Sequence, residues 1–286
     1  MNLTRRRFLT AGLSSAAGFG LYSSEIARHV IEVSYPEIRI PNLPASFDGF
    51  RIAQLSDIHL DEFTEPFFLH MAIDRINRLS PDAVFLTGDF ITHELLPRSF
   101  SVHSAWKCAK MLDTLACRLR YAALGNHDVA VDALAVSEAL ASSGISVLRN
   151  SCAALSLGSS RLWLAGVDDC VEGQPDIDRA IPEFIRKRNT EPIIFLCHEP
   201  DFVDHLLAHP AGQSVALMLS GHTHGGQVRI PFLGPMGLPE LGKKYVEGFF
   251  RLQHLQLYVN RGIGTVGLPL RLNCPPEITL ITLRRA

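Results

Sequence analysis

The sequence predicts a layered α/β body with helices covering a sheet. Three observations carry that expectation. Short apolar runs alternate with amphipathic helical patterns, and the C-terminal region turns richer in strand-like runs. Hydrophobic residues are 47% and charged residues 20% of 286, enough to bury a core and too apolar for a disordered chain. Most strand-like runs also end directly in Asp, Asn or His, where open α/β sheets bind ligands beyond their strand ends. With no repeat, low-complexity tract or linker in view, residues 35–286 read as one domain.

The elements follow in order. Ile31–Ile40 alternates around Pro36 and predicts an edge strand or hairpin. Arg51–Leu55 leads into Asp57 and His59, and Ala83–Leu86 leads into Gly88-Asp89. Tyr121–Leu124 leads into Gly125-Asn126-His127-Asp128, and Leu162–Val167 into Asp168-Asp169. Ile193–Leu196 leads into His198, and Val215–Leu219 into Gly221-His222-Thr223-His224. Leu255–Val259 and Ile278–Leu283 complete the strands. Helices are predicted over Pro66–Leu79, with Phe67, Met71, Ile76 and Leu79 as its apolar repeat, and over Ala105–Leu119, Ala130–Ala141 and Asp201–Ala208.

A net charge of −2 argues against a dedicated duplex-DNA binder, and no stable nucleic-acid partner is expected. The six cysteines are too few for a disulfide scaffold and contain no Cys-x-x-Cys, so they read as small core hydrophobes. Thr4-Arg5-Arg6-Arg7-Phe8-Leu9, followed by a mildly apolar Ala/Gly/Ser-rich run to Tyr22, resembles a twin-arginine export signal. Residues 1–28 are therefore expected to act as an export signal or retained N-terminal anchor, with the translocation machinery as partner. The protein would then be periplasmic or tethered peripherally to the outer face of the inner membrane.

The strand-end residues Asp57, His59, Asp89, Asn126, His127, His198, His222 and His224 mix hard oxygen with borderline nitrogen donors. That mixture suits Mn, Fe or Zn better than Mg or Ca. Taken singly, each motif reads as an ordinary turn. Five in fixed order, each directly after a buried-type strand, do not. The blocks Asp57-Ile58-His59, Gly88-Asp89, Gly125-Asn126-His127-Asp128, His198 and Gly221-His222-Thr223-His224 resemble the calcineurin-like metallophosphoesterase superfamily.

The resemblance implies a four-layer α/β/β/α sandwich of two mixed sheets, with two divalent metal ions at the sheet edge. Asp57, His59 and His224 would hold the first metal, Asn126, His198 and His222 the second, and Asp89 would bridge both. It further implies in-line attack on a phosphate ester by a metal-bridging hydroxide. His127 would stabilise the phosphoryl oxygens or protonate the leaving group. Asp128 would either orient His127 or cap a helix.

Thr92 stands where purple acid phosphatases carry a tyrosine. Phe90-Ile91-Thr92-His93 departs from the protein serine/threonine phosphatase block. The C-terminal third, through Gly225-Gly226-Gln227, Asn260-Arg261-Gly262 and Leu268-Pro269-Leu270-Arg271, resembles exported bacterial phosphodiesterases related to a pyrophosphatase acting on UDP-2,3-diacylglucosamine. The expected activity is a phosphodiesterase, with a membrane-derived substrate conceivable. The alternatives are a pyrophosphatase acting on a nucleotide-linked lipid precursor, a metal-dependent nuclease and a non-catalytic scaffold. Arg229, Lys243, Lys244, Arg261 and Arg271 are candidates to meet phosphate charge, Arg261 foremost. The apolar loop Pro231–Pro239 would cap the pocket, dip into lipid or pack as plain surface.

Overall fold

The computed structural model describes residues 18, 20–61, 65–93, 97–187 and 191–286; the arginine pair of the expected export signal lies outside them. Two sheets pack face to face. The first has β1 (Glu32–Ser34), β15 (Glu277–Arg285), β3 (Arg51–Leu55), β4 (Ala83–Thr87), β5 (Arg120–Ala123) and β6 (Ser146–Val147) in that order, with β2 (Glu37–Ile40) also on β15. The second runs β13 (Gly248–Leu252), β14 (Leu255–Val259), β10 (Val215–Ser220), β9 (Ile193–Leu196), β8 (Ser160–Gly166) and β7 (Ser151–Leu157). Both are mixed. β3 to β6 are parallel and β15 is antiparallel to β3, whereas β8, β9, β10 and β14 are parallel and antiparallel β7 and β13 close the edges.

The strand period of two creates the layers. On β3 and β4, Ala53, Leu55, Val84 and Leu86 face one cluster shared with α1 (Pro66–Leu79), α2 (Arg98–Leu112) and α3 (Asn126–Ser142). Their neighbours Ile52, Ala83 and Phe85 face Leu162, Leu164, Ile194, Leu196, Leu217 and Leu219 across the inter-sheet core. On the outer face of the second sheet, Trp163, Ala165, Phe195 and Met218 pack with residues of α4 (Ile177–Ala180), α5 (Glu183–Arg186) and α6 (Val203–Ala208). Three apolar seams separate four layers, the α/β/β/α sandwich expected.

Several expectations need correction. Of the two readings of the segment around Pro36, the edge strand holds and the hairpin does not. β1 and β2 lie in line along β15, both parallel to it, and the Pro36 carbonyl accepts the Thr282 N–H between them at 2.9 Å. The α1 face that packs is Phe68, Leu69, Ala72, Ile73 and Ile76, while Phe67 and Met71 face solvent. The helix predicted at Ala105–Leu119 begins earlier, after Pro97, and ends at Leu112. Beyond it the Asn77 side chain bonds Thr114 O (3.0 Å) and Ala116 N (2.8 Å), holding the chain irregular before β5. All six cysteines are free thiols, as expected, and Cys108, Cys197 and Cys274 are buried. Among the described residues, no helix is long and apolar enough to cross a membrane.

Candidate metal centre

The ends of five strands from both sheets meet at one edge. The loops after β3 and β4 are zipped beyond the strands: Asp57 N–H donates to Gly88 O (2.9 Å) and His59 N–H to Asp89 O (3.0 Å). On the second sheet Gly221 N–H donates to His198 O at 3.0 Å, tying the ends of β9 and β10. Asp57, His59, Asp89, His222 and His224 all adopt positive φ, between 47° and 73°. Such backbone costs about 1–2 kcal/mol at each non-glycine residue and gathers where surrounding structure imposes it. Close approach explains the adjoining glycines. A Cβ on Gly125 would overlap the Asp89 carboxylate, and one on Gly221 would overlap Ser56 and Asp57.

The side chains form two interlocking groups, and a third, His59, Asp89 and His127, overlaps both. Asp57, His59 and His224 bring their ligand-type atoms within 4.8 Å of one another, and so do Asp89, His198 and His222. Asp89 stands between the groups, its Oδ2 3.4 Å from His59 Nε2 and 3.0 Å from His198 Nε2. His224 Nε2 lies 3.4 Å from Asp57 Oδ1 and 3.1 Å from His59 Nε2. Asn126 joins at the start of α3 and lines the same pocket as Asp89.

Burial sets the charge states. It pushes Asp57 up to about 6, with Asp89 adding repulsion, and pushes His59 down to about 3 and His222 down to about 4. Burial opposes ionisation of Asp89, yet His198 holds it well below the usual carboxylate range. Burial likewise opposes charge on His198, but Asp89 and Asp57 raise it well above the usual imidazole value. A field that favours a proton on His198 equally favours a cation.

The donor set fits divalent metal. Asn126 Oδ1, His198 Nε2 and His224 Nδ1 are buried without a hydrogen-bond partner. His198 Nδ1 lies 2.6 Å from Thr87 O and His222 Nε2 lies 2.7 Å from Glu240 O. Each carbonyl fixes the tautomer and leaves the opposite ring nitrogen free as a donor to metal. Behind His198, Glu199 and Asp169 are buried with one unpartnered oxygen each. Burial and the Asp169 carboxyl raise Glu199 well above its ordinary value.

His127 sits beside the group, its ring edge-on to His59 at 4.8 Å between centroids. The backbone N–H of His93 donates to its Nδ1 at 2.8 Å, which fixes the neutral tautomer with the proton on Nε2. Asp128 does not orient His127. Its carboxylate accepts the N–H groups of Gly125 (3.0 Å), Asp89 (2.8 Å) and Phe90 (2.9 Å), capping α3 and bracing the Asp89 loop.

A model of the calcineurin-like phosphoesterase family matches residues 50–226, the span that carries these side chains. The chain belongs to that family. It is 35% identical over 293 aligned positions to an uncharacterized metallophosphoesterase of Bacillus subtilis, YkuE, covering 99% of this chain and 98% of that one. It is 31% identical to the phosphodiesterase YaeI of Escherichia coli, covering 98% and 99%. It is 27% identical to the UDP-2,3-diacylglucosamine pyrophosphatase LpxG of Chlamydia trachomatis, covering 96% and 95%. Among solved structures, a Staphylococcus aureus protein described as a 5′-nucleotidase superposes with a TM-score of 0.51 at 13% identity, over 82% of this chain and 54% of that one, a likeness of fold. Calcineurin-like phosphoesterases are phosphoester hydrolases that use a pair of divalent metal ions, and the two side-chain groups here supply candidate positions for both.

In this phosphoesterase the centre forms the floor of a pocket of about 380 Å³, lined by Asp89, Asn126, His127, His222 and His224 and walled by Val228, Met236, Val266 and Leu268. Four of the five cations expected along the wall are engaged elsewhere. Arg261 donates to Glu277 (3.0 Å) and Glu32 (2.9 Å), and the structure does not bring it into the pocket. Arg271 is fully buried and donates to the carbonyls of Gly264, Cys274, Arg261 and Gly262. Arg229 pairs with Glu247 and Lys244 with Asp204. A larger cleft, about 1020 Å³, lies around Arg149 and Asp168, away from the centre, and that pair is closed on itself by two hydrogen bonds of 2.7 and 2.9 Å.

Proposed function

We propose that this chain is a metal-dependent phosphodiesterase whose catalytic domain spans residues 35–286, with Asp57, His59, Asp89, Asn126, His198, His222 and His224 as its metal ligands. The observation that carries the reading is the set of buried, unpartnered donor atoms around Asp89 at the base of an open pocket. Similarity to the Escherichia coli phosphodiesterase over nearly the whole chain supports a diester. When bound, two divalent cations supply an activated water and charge stabilisation for an in-line displacement.

The chain's own residues do the rest. Asp89 holds both groups in register, and its Oδ1 accepts the His127 N–H at 3.0 Å, setting that ring over the pocket. With Nδ1 occupied by the His93 N–H, His127 presents Nε2–H to a phosphoryl oxygen as charge develops. This tautomer favours phosphoryl stabilisation over leaving-group protonation, which would require the imidazolium form and loss of the His93 bond. Residues 1–28 would serve as the export signal, placing the activity at the cell envelope.

The test is hydrolysis of bis(p-nitrophenyl) phosphate by purified protein loaded in turn with Mn, Fe, Zn and Co. Turnover with at least one metal is expected, and a flat baseline across all four would return the chain to the scaffold reading. Release of UMP from a UDP-linked acyl sugar, with no diester turnover, would favour the pyrophosphatase alternative that similarity to LpxG keeps open. A folded reporter carrying residues 1–28 should leave the cytoplasm only with Arg5 and Arg6 intact.

A further inference from the structure

The floor of the pocket is polar, but its rim is not. β11 (Arg229–Ile230) and β12 (Gly234–Pro235) form a small antiparallel hairpin beside the pocket. Its tip displays Phe232, fully exposed, and Leu233, 79% exposed. Met236, just past the hairpin, and Leu268, on the facing loop, are each 67% exposed and also line the pocket. Large side chains on display normally pack or thin out; two at the pocket wall and two more on the adjoining hairpin tip call for an explanation.

The rim is rigidly built. A Cβ on Gly226 would overlap Pro235, so the hairpin lies hard against the turn that carries His224. Met236 N–H donates to Val228 O at 3.0 Å. The Gln227 side chain ties the facing loop, donating to Val266 O (3.1 Å) and Leu268 O (2.9 Å) and accepting the Val266 N–H (2.9 Å). The tip also runs against local preference, since Phe232 takes φ +70°, where Gly or Asn is less strained. Local rules are broken most often where function demands it.

We propose that this rim inserts into the surface of a lipid bilayer, so that the pocket opens onto the membrane and takes a phosphoester of an acyl lipid. The proposal rests on the phosphodiesterase reading and names its substrate class. The occupant follows from continuity. Met236 and Leu268 both face solvent at the rim and line the pocket wall beside the metal-type residues, while Phe232 and Leu233 stand outside the pocket on the adjoining hairpin tip, so a bound molecule must present a phosphoester below and an apolar body above. A lipid satisfies both at once, and the surrounding bilayer covers Phe232 and Leu233.

The test uses the full-length chain and vesicles of phosphatidylethanolamine and phosphatidylglycerol. Phe232→Ser/Leu233→Ser should weaken vesicle partitioning by roughly tenfold or more. Turnover of water-soluble bis(p-nitrophenyl) phosphate should stay unchanged. In a second variant, Phe232→Trp, the indole should shift to the blue on vesicles and be quenched by brominated acyl chains. Undiminished partitioning of the double serine variant, or an unquenched indole, would overturn the proposal. So would a dimer that dissociates on the same substitutions without any vesicle binding. Loss of the hydrolytic reading would instead appear as absent diester turnover in the unsubstituted chain, independently of the vesicle result.

Discussion

The floor and the wall of the pocket treat buried charge in opposite ways. On the floor, Asn126 and His224 keep buried atoms with no hydrogen-bond partner, His198 Nε2 faces only the Asp89 and Asp57 carboxylates, and Asp57 and Asp89 crowd together. On the wall, Arg271 is equally buried yet spends its donors on four backbone carbonyls, and Arg261 is held by Glu277 and Glu32. The lesson is that burial alone does not mark a reactive group. A polar atom left unpaired is costly unless something outside the chain completes it, whereas a fully paired one is scaffolding. The floor therefore awaits ligands, and the wall fixes the loops that shape the opening.

Substitutions on the floor should give the largest effects. Asp89→Asn should lower turnover by ~10³-fold or more and reduce metal content together, because one carboxylate serves both groups. Metal analysis beside a rate assay checks this, and full occupancy with normal turnover would remove Asp89 from the centre. His127→Ala should lose roughly 10²–10³-fold in turnover while retaining both metals, since its Nε2 points at substrate in the proposed arrangement. A loss of metal equal to that of Asp89→Asn would make His127 a ligand instead.

The floor was legible in the sequence because its chemistry is local. Each donor follows the end of a strand by two to four residues, so a strand pattern and a short motif were enough to nominate Asp57, His59, Asp89, Asn126, His198, His222 and His224. The layers were legible for the same reason, through the alternation of Ile52 with Ala53 and Val84 with Phe85. The wall was not. Whether Arg261 reaches a phosphate or Glu277 depends on β15, which returns to pair with β3 across most of the chain. Edge strands β7 and β13 and the hairpin escaped too, because their half-exposed residues lack a long apolar run. The left-handed backbone at Asp57, His59 and Asp89 has no sequence signature beyond the tolerance of Asp and His for that region.

On the wall, Arg271→Met should act on stability rather than chemistry. The methionine fills much of the volume but leaves the carbonyls of Gly262 and Gly264 without their donor, at a cost of about 3 kcal/mol. Denaturant unfolding should show that loss, while the folded fraction keeps near-normal KM. A KM raised tenfold with unchanged stability would make Arg271 a substrate contact.

Arg261→Gln should have the smallest effect and most sharply separates the sequence expectation from the structure. Its guanidinium binds Glu277, a carboxylate that burial alone would raise but that Arg261 holds below its ordinary range. Removing the cation should therefore let Glu277 take up a proton nearer neutral pH. The folded-state carboxylate pKa is depressed, so its stabilisation is present above the unfolded value and fades as pH falls through the folded one. The substitution should cost about 1–2 kcal/mol at neutral pH, and less in acid, where wild type has lost the same interaction. Diester kcat/KM should change by no more than about threefold, under 1 kcal/mol of transition-state binding. A hundredfold rise in KM at unaltered stability would instead mean that the side chain leaves Glu277 when substrate arrives, and that the wall carries charge to the phosphate after all.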